Sequence, residues 1–184
     1  MKPVDRKEIL DYVTYEEERE PFRDRVMAEK ALRRIHLGGH LTLLFENHLT
    51  VRYQIQEMIR AERIVKEADI QHEIDTYNDL LGGDGELGCT LLIEIEEPAV
   101  RDVKLVEWWA LPEKMYLLLE DGTRVGATFD ERQRGDGRLS SVQYLKFNTR
   151  GRVPIAGGVD MPQLQVETPL TEAQRGALAV DVSS

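Results

Sequence analysis

An Asp-Gly pair lies between two runs of strand-forming residues in the stretch MYLLLEDGTRVGATF, residues 115–129. This pattern predicts a β-hairpin with a type I′ turn at Asp121 and Gly122. A hairpin joins neighbouring antiparallel strands, so the fold must contain an antiparallel sheet. Strands and helices do not alternate regularly along the rest of the chain, which disfavours a doubly wound parallel fold.

Further segments alternate apolar and polar residues with the period of a strand. They are HLTLLFE at 40–46, CTLLIEIE at 89–96 and SVQYLKFN at 141–148. With the two arms of the hairpin they make about five strands. Residues 141–148 are the last strand that the pattern predicts.

Helical patterns occupy much of the N-terminal half. Residues 15–35 are rich in helix formers, and Pro21 predicts a kink or a division into two short helices. Residues 51–67 and 69–81 carry apolar residues at helical spacing, and their short connector predicts an antiparallel helix hairpin. We therefore predict an α+β fold: a mainly antiparallel sheet with the N-terminal helices and the helix hairpin packed on it.

The end of the chain has a different composition. Residues 151–184 contain no aromatic residue, but they contain three prolines and the pair Gly157-Gly158. This composition predicts an extended C-terminal tail, with a short helix near 171–178, after a single α+β domain at 1–150.

Charge and cysteine content exclude several classes of partner and compartment. The formal net charge of −10 argues against nucleic acid and against an anionic membrane surface. No apolar run approaches the ~20 residues of a membrane span, and MKPVDRKEIL lacks the apolar core of a signal peptide. The single cysteine, Cys89, lies in an apolar run, as is typical of a core residue in a reducing cytoplasm. We predict a cytoplasmic protein.

Signatures of catalysis and metal binding are missing. The chain has no G-x-S-x-G, no P-loop, no H-E-x-x-H and no G-x-G-x-x-G after a strand. His72 and Asp75 share a helical face that could hold a divalent metal, but that face lies opposite the apolar stripe and is typical of a solvated surface. We predict no metal and no cofactor.

Polar residues concentrate in 46–78, where the first of these strands ends and a helix begins. Helix N-termini favour anions, so a site could form there; Asn47 and Thr50 are also ordinary helix caps. We take as candidate ligand-binding residues Glu46, Asn47, Arg52, Gln54, Glu57, Arg60, Glu62, His72 and Asp75.

Glu62 occupies a position in the apolar stripe of its helix, between Met58 and Val65. An unpaired buried carboxylate is costly, so three explanations compete. In the first, the helix end frays and leaves Glu62 in water. In the second, a cation such as Lys66 pairs with Glu62. In the third, Glu62 is a functional carboxylate that lines a pocket. We predict that Glu62 is at least partly buried and hydrogen-bonded, with Gln54 or an arginine nearby.

Three stretches, HLTLLFENHLTVRYQIQEMIRAERI, IQHEIDTYNDLL and LGCTLLIEIEE, resemble the bacterial family catalogued as domain of unknown function 3501. The resemblance covers about residues 1–150 and is strongest over 39–96, and the tail departs from it. The residues that match the family pattern are Glu46, Asn47, Thr50, Gln54, Gln56, Glu57, Arg60, Glu62, His72, Glu73, Asp75, Tyr77 and Asn78.

The resemblance implies no established activity. It does imply that genes of this family are often encoded beside those of rubrerythrin-like proteins and cysteine-rich Fe–S oxidoreductases. The implied role is therefore one associated with a redox or peroxide-stress system. One hypothesis is a non-catalytic accessory protein that binds a partner of this type. The other is a metal- or small-molecule-dependent enzyme with its site in 46–78, and the sequence leaves both open.

Overall fold

The computed structural model describes residues 1–135 and 137–183, which form an α+β fold. The strands are β1 (Arg34–Leu37), β2 (Leu41–Phe45), β3 (Glu86–Ile93), β4 (Met115–Leu118), β5 (Arg124–Gly126), β6 (Val142–Asn148), β7 (Ala156–Met161) and β8 (Leu164–Pro169). The helices are α1 (Tyr12–Ala31), α2 (His48–Glu62), α3 (Glu67–Asn78), α4 (Pro98–Glu107), α5 (Leu111–Lys114) and α6 (Glu172–Val182).

Every strand pairing between these elements is antiparallel, and the pairings build two four-stranded sheets. The strand orders are β1-β2-β3-β6 and β5-β4-β7-β8. The predicted α+β class and the antiparallel character are confirmed. The sequence predicted one sheet of about five strands, whereas the protein has two sheets of four. The difference arises because the sequence pattern did not predict β1 or the strands after residue 150.

The larger hydrophobic core contains residues of both sheets. Alternation along the strands places Leu43, Leu91 and Leu145 of the first sheet in this core, and each is at most 1% exposed. Leu117 and Val159 belong to it from the second sheet. The apolar residues of the sheets therefore hold the two sheets together.

A second core lies within the helical part of the molecule. It joins Val51, Ile55 and Ile59 of α2 to Ile70 and Ile74 of α3. These residues recur every four positions, so each helix presents one apolar stripe to the other. The predicted pairing of these two helices is therefore present, and the N-terminal segment adds Val4 and Ile9 to the same cluster.

Residues 151–183 correct the prediction of an extended tail. They form β7, β8 and α6, and β7 lies inside the second sheet between β4 and β8. Gly157 and Gly158 are part of β7 because side chains of neighbouring strands cover them; the Tyr116 ring lies where a Cβ on Gly158 would stand. Composition suggested a tail because these glycines have no apolar side chain of their own.

The hairpin exists, but its turn differs from the predicted type I′. Gly122 has a φ of +82°, whereas Asp121 is not left-handed, and a type I′ turn needs both. The Gly122 N–H donates to the Leu119 carbonyl at 2.9 Å, and the Leu119 N–H donates to the Thr123 carbonyl at 2.9 Å. The connection is therefore a three-residue loop that ends on a left-handed glycine.

The sequence predicted either a kink at Pro21 or a division there into two short helices; helix α1 continues through Pro21, so the division is absent. Helix α2 begins at His48, earlier than the predicted start at Val51 with Thr50 as its cap. Asn47 is its N-cap and accepts from the Thr50 N–H at 3.0 Å, while the Thr50 hydroxyl accepts from the Asn47 N–H at 2.9 Å. This reciprocal capping box anchors α2 at the end of β2.

Candidate functional site

Glu46 and Asn47, the predicted residues at the strand–helix junction, are occupied by contacts within the protein. The Glu46 carboxylate is buried and accepts from the Thr50 hydroxyl at 2.5 Å and from the Thr90 hydroxyl at 2.7 Å. The Asn47 amide donates to Glu29 at 2.8 Å. Both carboxylate oxygens of Glu46 thus have partners, and this junction joins β2, β3, α1 and α2.

Cys89 lies close to this junction and is buried, as predicted. Burial raises the pKa of the Cys89 thiol well above its ordinary value, and the negative charge of Glu46 raises it further. The thiolate is the reactive form of cysteine. Cys89 is therefore an inert core residue.

Arg52 and Gln54 lie apart from that network. The Arg52 guanidinium donates to the Glu8 carbonyl at 2.9 Å and lies 5.1 Å from the centre of the Phe22 ring. Arg52 therefore fastens the N-terminal segment and α1 to α2. Gln54 is half-buried on α2.

Glu57 is the centre of an ionic cluster between α1 and α2. It accepts from the Tyr15 hydroxyl at 2.8 Å and from Arg19 at 2.8 and 3.0 Å, and Arg60 lies 3.4 Å away. Burial raises the pKa of Glu57, but the hydrogen bonds from Arg19 and Tyr15 outweigh it and leave the pKa below its ordinary value. Glu57 is therefore an ionised carboxylate that holds the two helices together.

The prediction that Glu62 is partly buried is wrong. Glu62 is exposed, and so is Val65, at 71%. Glu62 does lie on the same side of the helix as Val51 and Ile55, as predicted. However, α2 ends at Glu62, and Arg63 turns the chain with a left-handed φ of 50°. The apolar core between α2 and α3 ends before Glu62, because α2 has no further turn that would continue its apolar stripe.

His72 and Asp75 are exposed on α3, on the solvated face that the sequence indicated. Asp75 accepts a hydrogen bond from Gln71 at 2.8 Å. The candidate residues of 46–78 therefore occupy separate places: a capping network, an arginine contact, an ionic cluster and two exposed helix positions. They do not converge on one pocket.

A cleft of about 620 Å³ lies elsewhere, between the C-terminal end of α3, the strand β6 and the segment 128–133. We call it the α3–β6 cleft. Its described lining residues are Thr76, Tyr77, Asp79, Leu80, Thr128, Phe129, Asp130, Gln133, Tyr144, Leu145 and Lys146. Of these, the sequence had pointed to Tyr77, as a match to the family pattern, and to Thr76 and Asp79, on the helical face of His72.

The floor of the cleft follows from strand periodicity. Tyr144 and Lys146 alternate with Leu145 and Phe147, which belong to the core between the sheets. Tyr144 is therefore left 40% exposed on the opposite face. An exposed aromatic residue that alternates with core residues is the sequence signal that could have identified this site.

One wall of the cleft depends on a glycine. Gly88 pairs with Lys146 across β3 and β6. A Cβ on Gly88 would lie 1.8 Å from the Leu80 carbonyl oxygen. The end of α3 can therefore rest directly on β3 beside the floor of the cleft.

The opposite wall closes the free edge of β6. The Gln133 side chain donates to the Tyr144 carbonyl at 3.0 Å and accepts from the Tyr144 N–H at 2.6 Å, as a neighbouring strand would. Backbone bonds in both directions, each 2.8 Å, join Thr128 to Lys146. An edge strand with its backbone groups satisfied in this way resists pairing with other chains.

Replacing Gln133 with alanine is expected to expose this edge. The Tyr144 N–H and carbonyl would lose their partners, and we expect larger species to form with rising protein concentration, because unpaired edges template strand pairing. Size-exclusion chromatography with light scattering measures the effect. Gln163→Ala, at an exposed position in the β7–β8 turn, is the control. Identical elution of wild type and Gln133→Ala at every concentration would contradict the prediction.

Within residues 1–135 and 137–183, no three His, Cys, Asp or Glu side chains are grouped so that they could hold a metal ion. None of the helices in these ranges has both the length and the apolar character that crossing a membrane requires.

The fold and the cleft define a two-sheet α+β protein with an aromatic-lined surface site. Its sequence matches the family described as "Protein of unknown function (DUF3501)" over residues 3–182, and the chain belongs to that family. The match includes the segment after residue 150, so the expectation that this segment departs from the family is wrong.

A solved structure is similar over nearly its whole length: the crystal structure of a novel protein of unknown function from Burkholderia pseudomallei K96243. It is 30% identical in sequence with a TM-score of 0.90, and the similarity covers 98% of this chain and 100% of that one. The comparison with curated proteins found no match.

Proposed function

We propose that this chain is a cytoplasmic, non-catalytic binding protein, an accessory to a redox or peroxide-stress system. Its partner is a rubrerythrin-like protein or an Fe–S oxidoreductase, and the α3–β6 cleft is the docking site. The observation that carries the proposal is the aromatic lining of this open cleft by Tyr77, Phe129 and Tyr144. Aromatic residues are enriched at the centres of protein interfaces and supply much of their binding energy.

The redox assignment rests on the family resemblance, which implies that genes of this family are often encoded beside genes for rubrerythrin-like proteins and Fe–S oxidoreductases. The chain's own cysteine supports an indirect role. Cys89 is buried and the pKa of its thiol is raised, so thiol exchange at this residue is disfavoured. The redox chemistry then belongs to the partner, and this chain contributes recognition.

A pull-down from native bacterial cells under gentle conditions tests the proposal. We expect the wild-type chain to recover an iron protein of the named types, identified by mass spectrometry and iron analysis. Tyr144→Ala should lower the recovery at least about tenfold, because an aromatic anchor at an interface contributes roughly 2 kcal/mol or more. Val103→Ala is the control, since Val103 is an exposed apolar residue on α4, outside the cleft.

Two results would overturn the proposal. One is the recovery of no rubrerythrin-type or Fe–S protein by the wild-type chain. The other is equal recovery by wild type and Tyr144→Ala, which would exclude the cleft as the docking site.

A second candidate function is a small-molecule-dependent enzyme. It is favoured by the volume of the cleft, which lies within the range of roughly 300–1,000 Å³ that is typical of ligand pockets. Native mass spectrometry and elemental analysis of protein purified without chelator or affinity tag separate the two candidates. A stoichiometric small molecule or metal that is lost in Tyr144→Ala would favour the enzyme.

A further inference from the structure

We propose that the segment docked in the α3–β6 cleft presents one carboxylate to Lys146 and an adjacent aromatic side chain to the apolar walls. This inference rests on the proposed function and names the chemistry of the partner's segment. Four features of the cleft support it: an unpaired cation on the floor, the hydroxyl groups of two lining tyrosines, a fixed aromatic wall and an acidic rim.

Lys146 is half-buried and is the only basic residue among the described lining residues of the cleft. Its ammonium group has no hydrogen-bond or ion-pair partner within residues 1–135 and 137–183. Glu46 lies on the same face beyond Gly88, but its oxygens already accept from Thr50 and Thr90. A carboxylate from outside would therefore give Lys146 its counterion.

Two tyrosines with hydroxyl groups line the same cleft as Lys146. Tyr77 lines one side of the cleft and Tyr144 its floor, and neither hydroxyl has a hydrogen-bond partner among the described residues. Burial raises the pKa of Tyr144, and the proximity of Tyr77 and Glu46 raises it further, so the Tyr144 hydroxyl stays protonated and able to donate. Two hydroxyl donors and one cation form a suitable environment for a single carboxylate.

The aromatic wall is held in place before any ligand arrives. The Arg134 guanidinium lies 4.7 Å from the centre of the Phe129 ring and 5.1 Å from that of Trp109. Glu113 and Glu131 hold Arg134 at 2.6 and 3.0 Å. A ring fixed on one face by this stack offers its remaining surface at little entropic cost.

The rim selects against a second negative charge. Asp79 is exposed at the end of α3, and the protein as a whole carries a formal charge of −10. Asp130, on the opposite side, already pairs with Arg132 at 2.5 Å. A segment with one carboxylate flanked by apolar residues satisfies Lys146 without further repulsion, whereas a run of acidic residues would meet Asp79.

The test uses three blocked peptides, Gly-Phe-Asp-Gly, Gly-Phe-Asn-Gly and Gly-Phe-Lys-Gly, titrated into the ¹⁵N-labelled full chain. We expect the Asp peptide to shift the amide signals of β6 and to bind about tenfold more tightly than the Asn peptide, since one charge-assisted hydrogen bond separates them. Lys146→Gln should reduce its affinity to that of the Asn peptide. Lys146→Arg should retain most of it, and Lys114→Gln, at an exposed lysine on α5, should retain all of it.

Equal affinity for the three peptides, no response to Lys146→Gln, no binding, or shifts confined to residues outside the cleft would each overturn the inference. The pull-down separates its failure from that of the proposed function. If Lys146→Gln recovers the redox partner as well as wild type does, the carboxylate assignment falls and the function stands. If the Asp peptide binds as expected and no redox partner is recovered, the redox assignment falls and the chemistry of the cleft stands.

Discussion

Replacing Asp181 with alanine is expected to lower the free energy of unfolding by about 3–5 kcal/mol, the usual cost of breaking a buried ion pair. Arg33 and Asp181 are each 4% exposed and form a bidentate pair at 2.8 and 2.9 Å. Without Asp181, the one partner left to the Arg33 guanidinium among the described residues is Glu29, at 2.7 Å, which is 31% exposed. This pair attaches α6 to the end of α1, so the loss should appear as a cooperative shift of the denaturant midpoint.

A matched exposed pair is the control for this experiment. Arg124 and Asp160 are 3.1 Å apart with side chains 52% and 58% exposed. Asp160→Ala should therefore cost no more than about 1 kcal/mol. The double variant Arg33→Met with Asp181→Leu should recover part of the loss, because an apolar pair leaves no uncompensated buried charge. Similar costs for Asp181→Ala and Asp160→Ala would contradict the assignment of a buried pair.

Replacing Gly88 with alanine is expected to cost about 3 kcal/mol, at the upper end of the usual range for overpacking. The new methyl group would lie 1.8 Å from the Leu80 carbonyl oxygen and 2.9 Å from the Gly82 backbone nitrogen. These are backbone atoms, so a rotamer change cannot relieve the clash. The end of α3 must move away from β3, and the wall of the cleft moves with it.

Gly126→Ala separates this steric effect from a general effect of the substitution in a strand. Gly126 lies in β5, and a Cβ there would have no heavy atom within 4 Å. We expect that variant to be as stable as wild type, or slightly more stable, because alanine restricts the unfolded chain. Chemical denaturation measures both variants. Equal stability of Gly88→Ala and Gly126→Ala would show that α3 does not rest on β3.

The polar residues of 46–60 show why a cluster in sequence was a poor guide to the site. Glu46, Asn47 and Glu57 are buried or half-buried polar groups, as expected of functional residues. Their partners are Thr90, Glu29 and Arg19, which lie on other elements. A buried polar group needs hydrogen-bond partners wherever it lies. Burial and polarity alone therefore do not distinguish a residue that stabilises the fold from one that binds a ligand.

The α3–β6 cleft illustrates the opposite case. Its residues come from 76–80, 128–133 and 144–146, which are far apart in the chain. Apart from the exposed aromatic position at Tyr144, nothing in these segments marks a pocket. They meet because β6 pairs with β3 rather than with the hairpin strands, and because Gly88 admits the end of α3.

Several local features of this protein could be predicted from its sequence: the α+β class, most strands of the first sheet, helices α2 and α3, the hairpin and the burial of Cys89. Alternation, helical spacing and turn residues act between positions a few residues apart, so they can be read without the fold. The fold was needed to reveal four others: the two-sheet arrangement, the strands after residue 150, the exposure of Glu62 and the position of the cleft. These four features depend on which distant segments of the chain meet. A glycine-containing strand becomes stable only when side chains of neighbouring strands cover it, and the apolar stripe of a helix is buried only where another element packs on it.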